Sequence, residues 1–297
     1  MRLTVDPDRC TLCGACLLTC PADMVREKDG RIKIGRVMCL ECGHCVALCP
    51  EGAIVVDEGP DFAEATSGKP EEGSATGPPP VSPEAFRELV RQRRSVRQYE
   101  ARPVPRELLE QMLDNGRWAP TAANCQCQAF TVLTDPARRD WLSAQVVEFY
   151  RAYQEALQDR EHAAERLAAL GLEAGFALHP HMRVAVPSFL KNTDAGRDRL
   201  FFAAPAVIIV HADEGEVLPA SAAAFATLTL ALSAETLGLG TCITAYASEA
   251  LRARPDLRAA LEVPETHQVH YVLTVGYPAE HWQQVPPRRA AQVRWWE

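Results

Sequence analysis

Hydrophobic and polar positions change period several times along the chain, and each change predicts an element. Residues 31–34 (Arg-Ile-Lys-Ile) alternate strictly and predict a short strand, and residues 54–56 predict a second. A helix is expected after Ser82, which can cap it; Pro83 stands in its first turn, and Phe86, Leu89 and Val90 recur at helical spacing. Residues 108–117 predict another helix and residues 130–134 a strand. A long helical stretch is expected over 140–170, dense in Ala, Glu, Arg and Gln, followed by an irregular stretch over 171–200. Residues 205–211 read as an apolar strand, and 220–237 as a buried helix ended by Gly238 and Gly240. A further helix over 248–261 and a strand over 268–275 complete the pattern. Helices with separated strands predict an α+β class.

Composition divides this pattern into three. The 297 residues are 47% hydrophobic and 24% charged, globular proportions that exclude wholesale disorder and leave room for about two domains. Residues 1–56 carry seven basic and seven acidic side chains. Residues 57–83 carry six acidic and one basic, with thirteen Gly, Pro or Ser among 27 positions, and read as an extended tether. Residues 84–297 hold nearly all the large apolar side chains, enough for a full core. The net charge of −8 lacks the footprint of a nucleic-acid binder and gives no electrostatic hold on an anionic membrane. The apolar stretch 217–234 contains Pro219, Ser221, Thr227, Thr229 and Ser233, and reads as a buried helix rather than a membrane span. Where a secretory leader would be apolar, the first twenty residues carry Asp6, Asp8 and four cysteines, so the expected location is the cytoplasm. Reducing surroundings make metal binding or catalysis the expected use of eleven cysteines.

Eight of those cysteines form an internal repeat. Cys10, Cys13, Cys16 and Cys20, followed by Pro21, recur as Cys39, Cys42, Cys45 and Cys49, followed by Pro50, at a constant offset of 29. Each copy is C-x2-C-x2-C-x3-C-P, the bacterial two-cluster spacing, in which three thiolates of one turn meet one iron–sulfur cube and the fourth reaches the other. Cys10, Cys13 and Cys16 are thus expected with Cys49 on one 4Fe-4S cluster, and Cys39, Cys42 and Cys45 with Cys20 on the second. Gly14 and Gly43 would let backbone approach the sulfides. The alternative is two zinc sites, each of four thiolates. The segment resembles the two-cluster bacterial ferredoxins over about its first 56 residues. His44, inside the second turn, is expected to tune a cluster by hydrogen bonding rather than to ligate it.

The larger part carries four short motifs in order. Arg93, Ser95 and Arg97 alternate, so an extended backbone would aim all three at one anion, although a solvated basic helix end has the same composition. Residues 118–126 (Trp-Ala-Pro-Thr-Ala-Ala-Asn-Cys-Gln) place small residues with amides in a loop. Residues 237–242 read Leu-Gly-Leu-Gly-Thr-Cys, and residues 275–278 read Val-Gly-Tyr-Pro, followed by Arg288 and Arg289. Taken singly, each of these last three motifs also reads as a helix stop or a turn.

In this order and spacing the motifs resemble the FMN-dependent nitroreductase family over about residues 85–290, and the whole chain resembles a ferredoxin–nitroreductase fusion. The resemblance implies an α+β sandwich, a homodimer built through the long apolar helix, and FMN at the dimer interface. It implies that Arg93, Ser95 and Arg97 hold the FMN phosphate and ribityl chain, with Arg288, or failing it Arg289, completing the phosphate site. Thr121, Asn124 and Gln126 would contact ring or ribityl, and Gly240 and the Thr244–Ala245 backbone would lie against the ring. The chain departs from the family at Cys127 and Gln128, where Pro and an aromatic are common, at Ala245, where Gly is common, and in its long 140–200 insertion. Those departures bear on the substrate pocket more than on the flavin site.

The function expected is an FMN-dependent oxidoreductase that receives electrons through two fused clusters and reduces a small organic acceptor, such as a nitroaromatic or a quinone. Two alternatives stay open: an electron converter serving a protein partner, and an oxidative or dehalogenating member of the same flavin fold. No side chain is nominated as catalytic acid or base. No dinucleotide glycine fingerprint follows a strand, which leaves the electron source open between NAD(P)H and reduced ferredoxin. Cys125 and Cys127 would share a face if extended, and with Cys242 they read as buried small residues or as redox thiols. His179 and His181 are expected in a loop. Trp295 and Trp296 are expected to pack somewhere, a partner subunit included.

Overall fold

The computed structural model describes residues 2–57, 81–159 and 161–297. The expected tether over 57–83 therefore lies outside the described residues, apart from Asp57 and residues 81–83. Two compact units are present: among the described residues one holds 2–57 with Ala123–Cys125, and the other holds Val81–Ala122 and Gln126–Glu297.

In the first unit β1 (Arg2–Val5) pairs antiparallel with β4 (Ile54–Asp57), and β2 (Val25–Lys28) with β3 (Arg31–Ile34). Each cysteine run bears one short helix, α1 (Ala15–Thr19) or α2 (His44–Ala47). The 29-residue repeat is written in the backbone as well. Leu12 matches Glu41, Gly14 matches Gly43, and Asp23 matches Gly52, all six in the left-handed region. Gly14 (φ 79°) and Gly43 (φ 71°) supply the turn into each helix at no steric cost. Alternation along β3 turns Ile32 inward, where it joins Val25, Ile54, Cys16 and Cys45 in a small core.

The second unit opens with α3 (Pro83–Gln92), where the Ser82 hydroxyl accepts the Ala85 N–H at 3.1 Å. Then follow α4 (Arg106–Arg117), β5 (Gln128–Leu133), α5 (Pro136–Gln158), α6 (Ala163–Ala169), α7 (Ala174–Ala177) and α8 (Met182–Asp194). The chain continues through β6 (Ala206–Asp213), α9 (Pro219–Thr236), β7 (Gly240–Ile243), α10 (Ala245–Ala253), α11 (Pro255–Ala260) and β8 (His267–Gly276). The strands form one antiparallel sheet in the order β5-β6-β8-β7. Along β6, Ala206, Ile208 and Val210 face α4 and α9, while Val207 and Ile209 face the layer that includes α5, α8, α10 and α11. Helices cover both faces, so β6 reads as a continuous apolar run. The result is an α+β sandwich preceded by the small cysteine unit, the expected class.

Several expectations need correction. The helix over 140–170 is two, α5 and α6, parted at Asp159, whose carboxylate accepts the His162 N–H at 3.2 Å. The stretch over 171–200 is largely helical: Met182, Val186, Phe189 and Leu190 form the inward stripe of α8 despite Pro187 within it. The helix over 248–261 is also two, because Arg254 is extended and Pro255 opens α11. Gly238 (φ 69°) does follow α9, but Gly240 opens β7, a strand the glycine pattern hid. Helix α9 is buried on one side alone, since Phe225 and Leu228 are exposed. Among the described residues no helix is long and apolar enough to cross a membrane.

Candidate functional site

The first unit holds two cysteine-lined cavities. Cys10, Cys13, Cys16 and Cys49 line one, with Gly14, Ile32 and Pro50. Cys20, Cys39, Cys42 and Cys45 line another, with Gly43, His44 and Pro21. The sets cross between the two runs. Burial pushes the Cys16 thiol up, and Cys49, Cys10 and Cys13 add to it as nearby negative charges. Burial likewise raises Cys45, with Cys39 and Cys42 beside it. Desolvation pushes Cys20 upward too, but main-chain N–H groups of Ala22, Met24 and Val25 outweigh it, so this thiol is lowered. The Met24 N–H donates to Cys20 Sγ at 3.2 Å, and the repeat-related Ala53 N–H donates to Cys49 Sγ at 3.2 Å. A tetrathiolate zinc site draws its sulfurs to about 2.3 Å from one ion. Four thiols drawn from both cysteine runs around each space match the crossed two-cluster arrangement rather than two single-ion sites.

In the second unit the chain leaves α3 extended. Ser95 bridges Thr241 of β7, and the Val96 N–H donates to Thr241 O at 2.9 Å. Val96 is buried between half-buried Ser95 and exposed Arg97. Ser95 and Arg97 both reach the Cys242 thiol, which burial raises and which they, through the Arg97 charge and hydrogen bonds from both, oppose. Arg94 is lowered by desolvation, then by the charges of Arg288 and Arg93, against Glu235. Arg93 and Arg288 therefore lie within electrostatic reach of Arg94; Arg288 and Arg289 are both exposed. Gly240 has a packing reason of its own: a Cβ there would lie 2.9 Å from Val96 Cβ and 3.0 Å from Pro278 Cγ.

The amide loop is held by its own hydroxyl, since the Gln126 N–H donates to Thr121 Oγ1 at 3.1 Å. Ala123, Asn124 and Gln126 are all left-handed, a concentration of strain in non-glycine residues. Because Gln126 is not extended, Cys125 and Cys127 do not share a face as expected: Cys127 is buried and Cys125 half-buried. Thr244 stands at the N-terminus of α10 without a side-chain cap, its N–H donating to Val272 O of β8 at 2.8 Å, and Ala245 is exposed.

Strand register ranks these groups. Gln128, which follows the amide loop, pairs with Ala212, which pairs with Gln268. Ser95 meets Thr241, which pairs with Val275. Seven residues of β8 separate the two, about 24 Å at the rise of a strand. Thr244 sits between them, at Val272. One copy thus carries its arginine strip and its amide loop at opposite ends of the sheet.

Sequence reasoning missed two acids. Glu235 Oε1 accepts the Arg94 N–H at 3.3 Å, and Glu280 Oε1 accepts the Arg97 N–H at 2.9 Å. Their one signal is position, each within five residues of a glycine motif. His179 and His181 are exposed beside the start of α8, and His44 is exposed at the start of α2. Trp295 and Trp296 are 81% and 88% exposed, so within one copy the tail is not packed.

Comparison with known proteins follows the same division. The model of the 4Fe-4S dicluster domain matches residues 2–50, and that of the nitroreductase family matches residues 90–277. A nitrobenzene nitroreductase from Ectopseudomonas oleovorans is 28% identical over 210 residues, spanning 67% of this chain and 88% of that protein. An FMN-bound nitroreductase structure from Desulfitobacterium hafniense aligns with a TM-score of 0.52 at 19% identity, covering 70% of this chain and 97% of that one. One from Bacteroides fragilis, also with FMN, aligns at 0.50 and 20% identity, covering 71% and 97%. At these identities the structures speak to the fold. The two crossed cysteine sets and the sandwich behind them thus have one reading: this chain belongs to the nitroreductase family and carries a 4Fe-4S dicluster domain ahead of it.

Proposed function

We propose that this protein is an FMN-dependent oxidoreductase, fed through two 4Fe-4S clusters, that reduces a small organic acceptor such as a nitroaromatic or a quinone, and that it works as a homodimer. The observation that carries the reading is the pair of crossed four-cysteine cavities on a chain of the nitroreductase family. The nitrobenzene nitroreductase relative supports the acceptor class.

When bound, FMN and the clusters supply the conversion between one-electron input and two-electron output. The protein's own residues do the rest. Eight thiolates hold the clusters, and the N–H groups of Met24 and Ala53 steady the sulfurs of Cys20 and Cys49. Arg93, Ser95, Arg97 and Arg288 supply guanidinium and hydroxyl donors for a phosphate, with Arg289 in reserve. Thr121, Asn124 and Gln126 offer hydroxyl and amide groups to ribityl or ring, and the main chain at Gly240, Thr244 and Ala245 offers a surface to press against a flat ring. The strip and the loop lie at opposite ends of the sheet, which favours a site completed by a second copy. The exposed Phe86 and Val90 of α3 and Phe225 and Leu228 of α9 support the same conclusion, since α3 packs on α9 and together they leave an apolar surface uncovered.

The test is anaerobic purification with iron, sulfide and flavin assays. About eight irons and one FMN per chain are expected. The reduced protein, mixed with nitrobenzene or a quinone, is then expected to reoxidise with formation of the reduced acceptor. A preparation that carries zinc, or a reduced flavin that no such acceptor reoxidises, would overturn the proposal.

A further inference from the structure

We propose that Glu280 is a positioning residue for the arginine strip: its carboxylate holds residues 95–97 extended, so that Ser95 and Arg97 present their donors together. The inference rests on the FMN reading above and adds to it a residue that acts through the main chain of Arg97.

The geometry is local and complete. On one side, Ser95 and Val96 are tied to Thr241 of β7, with the Val96 N–H on Thr241 O at 2.9 Å. On the other, the chain that leaves β8 runs antiparallel to residues 98–100. The Glu100 N–H donates to Tyr277 O, and the Ala279 N–H donates to Gln98 O, each at 2.9 Å. Tyr99 is anchored between them by its hydroxyl on Thr274 Oγ1 at 2.7 Å. The Arg97 N–H is met not by a carbonyl of this neighbouring chain but by a side chain, Glu280 Oε1 at 2.9 Å. Glu280 is half-buried, so the bond is partly shielded from water. Without it Arg97 loses its main-chain tether, and the extended alternation that puts Ser95 and Arg97 on one side of the strip is released. Two-donor recognition of a phosphate depends on that alignment.

Flavin binding reads this out without turnover. Flavin-free full-length protein is titrated with FMN and with riboflavin, which lacks the phosphate, by fluorescence quenching. Wild type is expected to bind FMN more tightly. Glu280→Ala is expected to lose about tenfold in FMN affinity while riboflavin affinity moves less than about threefold, the cost of an unpaired N–H falling on the phosphate end. Glu280→Gln keeps an acceptor oxygen and is expected to stay within about threefold of wild type for FMN. Glu280→Asp, shorter by one methylene, is expected to follow the alanine variant, and carries the test if that variant does not fold. Unchanged FMN affinity in the alanine and aspartate variants, or equal loss of both flavins, overturns the inference and leaves the FMN reading standing. A wild type without preference for FMN over riboflavin overturns the assigned phosphate site, and the inference with it.

Discussion

At the scale of single residues, the arginine strip is held in place partly by an absent side chain. Gly240 lets β7 come against Val96, and a methyl group there would lie 2.9 Å from Val96 Cβ. Gly240→Ala is expected to cost about 1–3 kcal/mol by overpacking, and adding Val96→Ala is expected to return part of it. Urea denaturation of the single and double variants measures both. His211 makes a different prediction. It is 3% exposed, its Nδ1 lies 2.8 Å from His267 Nδ1, and its Nε2 lies 3.2 Å from Thr131 Oγ1. Burial, then the charges of His267 and His270, push its pKa down to about 4. An unfolded histidine titrates near 6.5, so the folded state prefers the neutral ring, and stability is lost as pH falls from about 6.5 toward 4. The loss amounts to at most about 3 kcal/mol. In His211→Gln that part of the pH dependence is expected to disappear from denaturation curves taken across the interval.

At the scale of elements, what a sequence shows depends on where the partner lies. β3 was legible from its alternation, and α3 from its cap, because both signals are local. The crossed cysteine sets were legible because a repeat with fixed spacing declares its own partners. α8 was hidden by Pro187 and β7 by its flanking glycines, since each residue type also ends elements. Glu235 and Glu280 could not be found this way, because they meet the strip from 141 and 183 residues away. Helix α9 marks the limit most clearly: its composition is apolar all round, and composition does not say which side is covered. Leu230 is fully buried against α4 and the sheet, whereas Leu228, two positions earlier, is exposed. Leu230→Ala is therefore expected to cost about 2–5 kcal/mol in urea denaturation, the range for a deleted core leucine. Leu228→Ala removes nothing from this core, and any effect it has is expected to depend on protein concentration.

At the scale of the whole molecule, the separation of arginine strip and amide loop makes a prediction about ownership of the flavin site. The β8 positions that carry the strip (Val275, through Thr241 and Ser95) and the loop (Gln268, through Ala212 and Gln128) lie about 24 Å apart, so a ligand held by both Arg97 and Gln126 would draw on two chains. In the proposed homodimer a two-fold axis would bring the strip of one copy to the loop of the other, twice. Chains carrying Arg97→Ala and chains carrying Gln126→Ala are each expected to bind FMN weakly alone, because every site then has one lesion. When the two are unfolded, mixed and reassembled, half the dimers are mixed. In each mixed dimer one site collects both lesions and the other collects neither. About a quarter of all sites should then regain wild-type affinity, as random pairing of two chains requires. If both groups served the same site from one chain, every site would keep one lesion and mixing would restore nothing. Flavin titration of the reassembled mixture therefore distinguishes a site shared between copies from one contained within a copy.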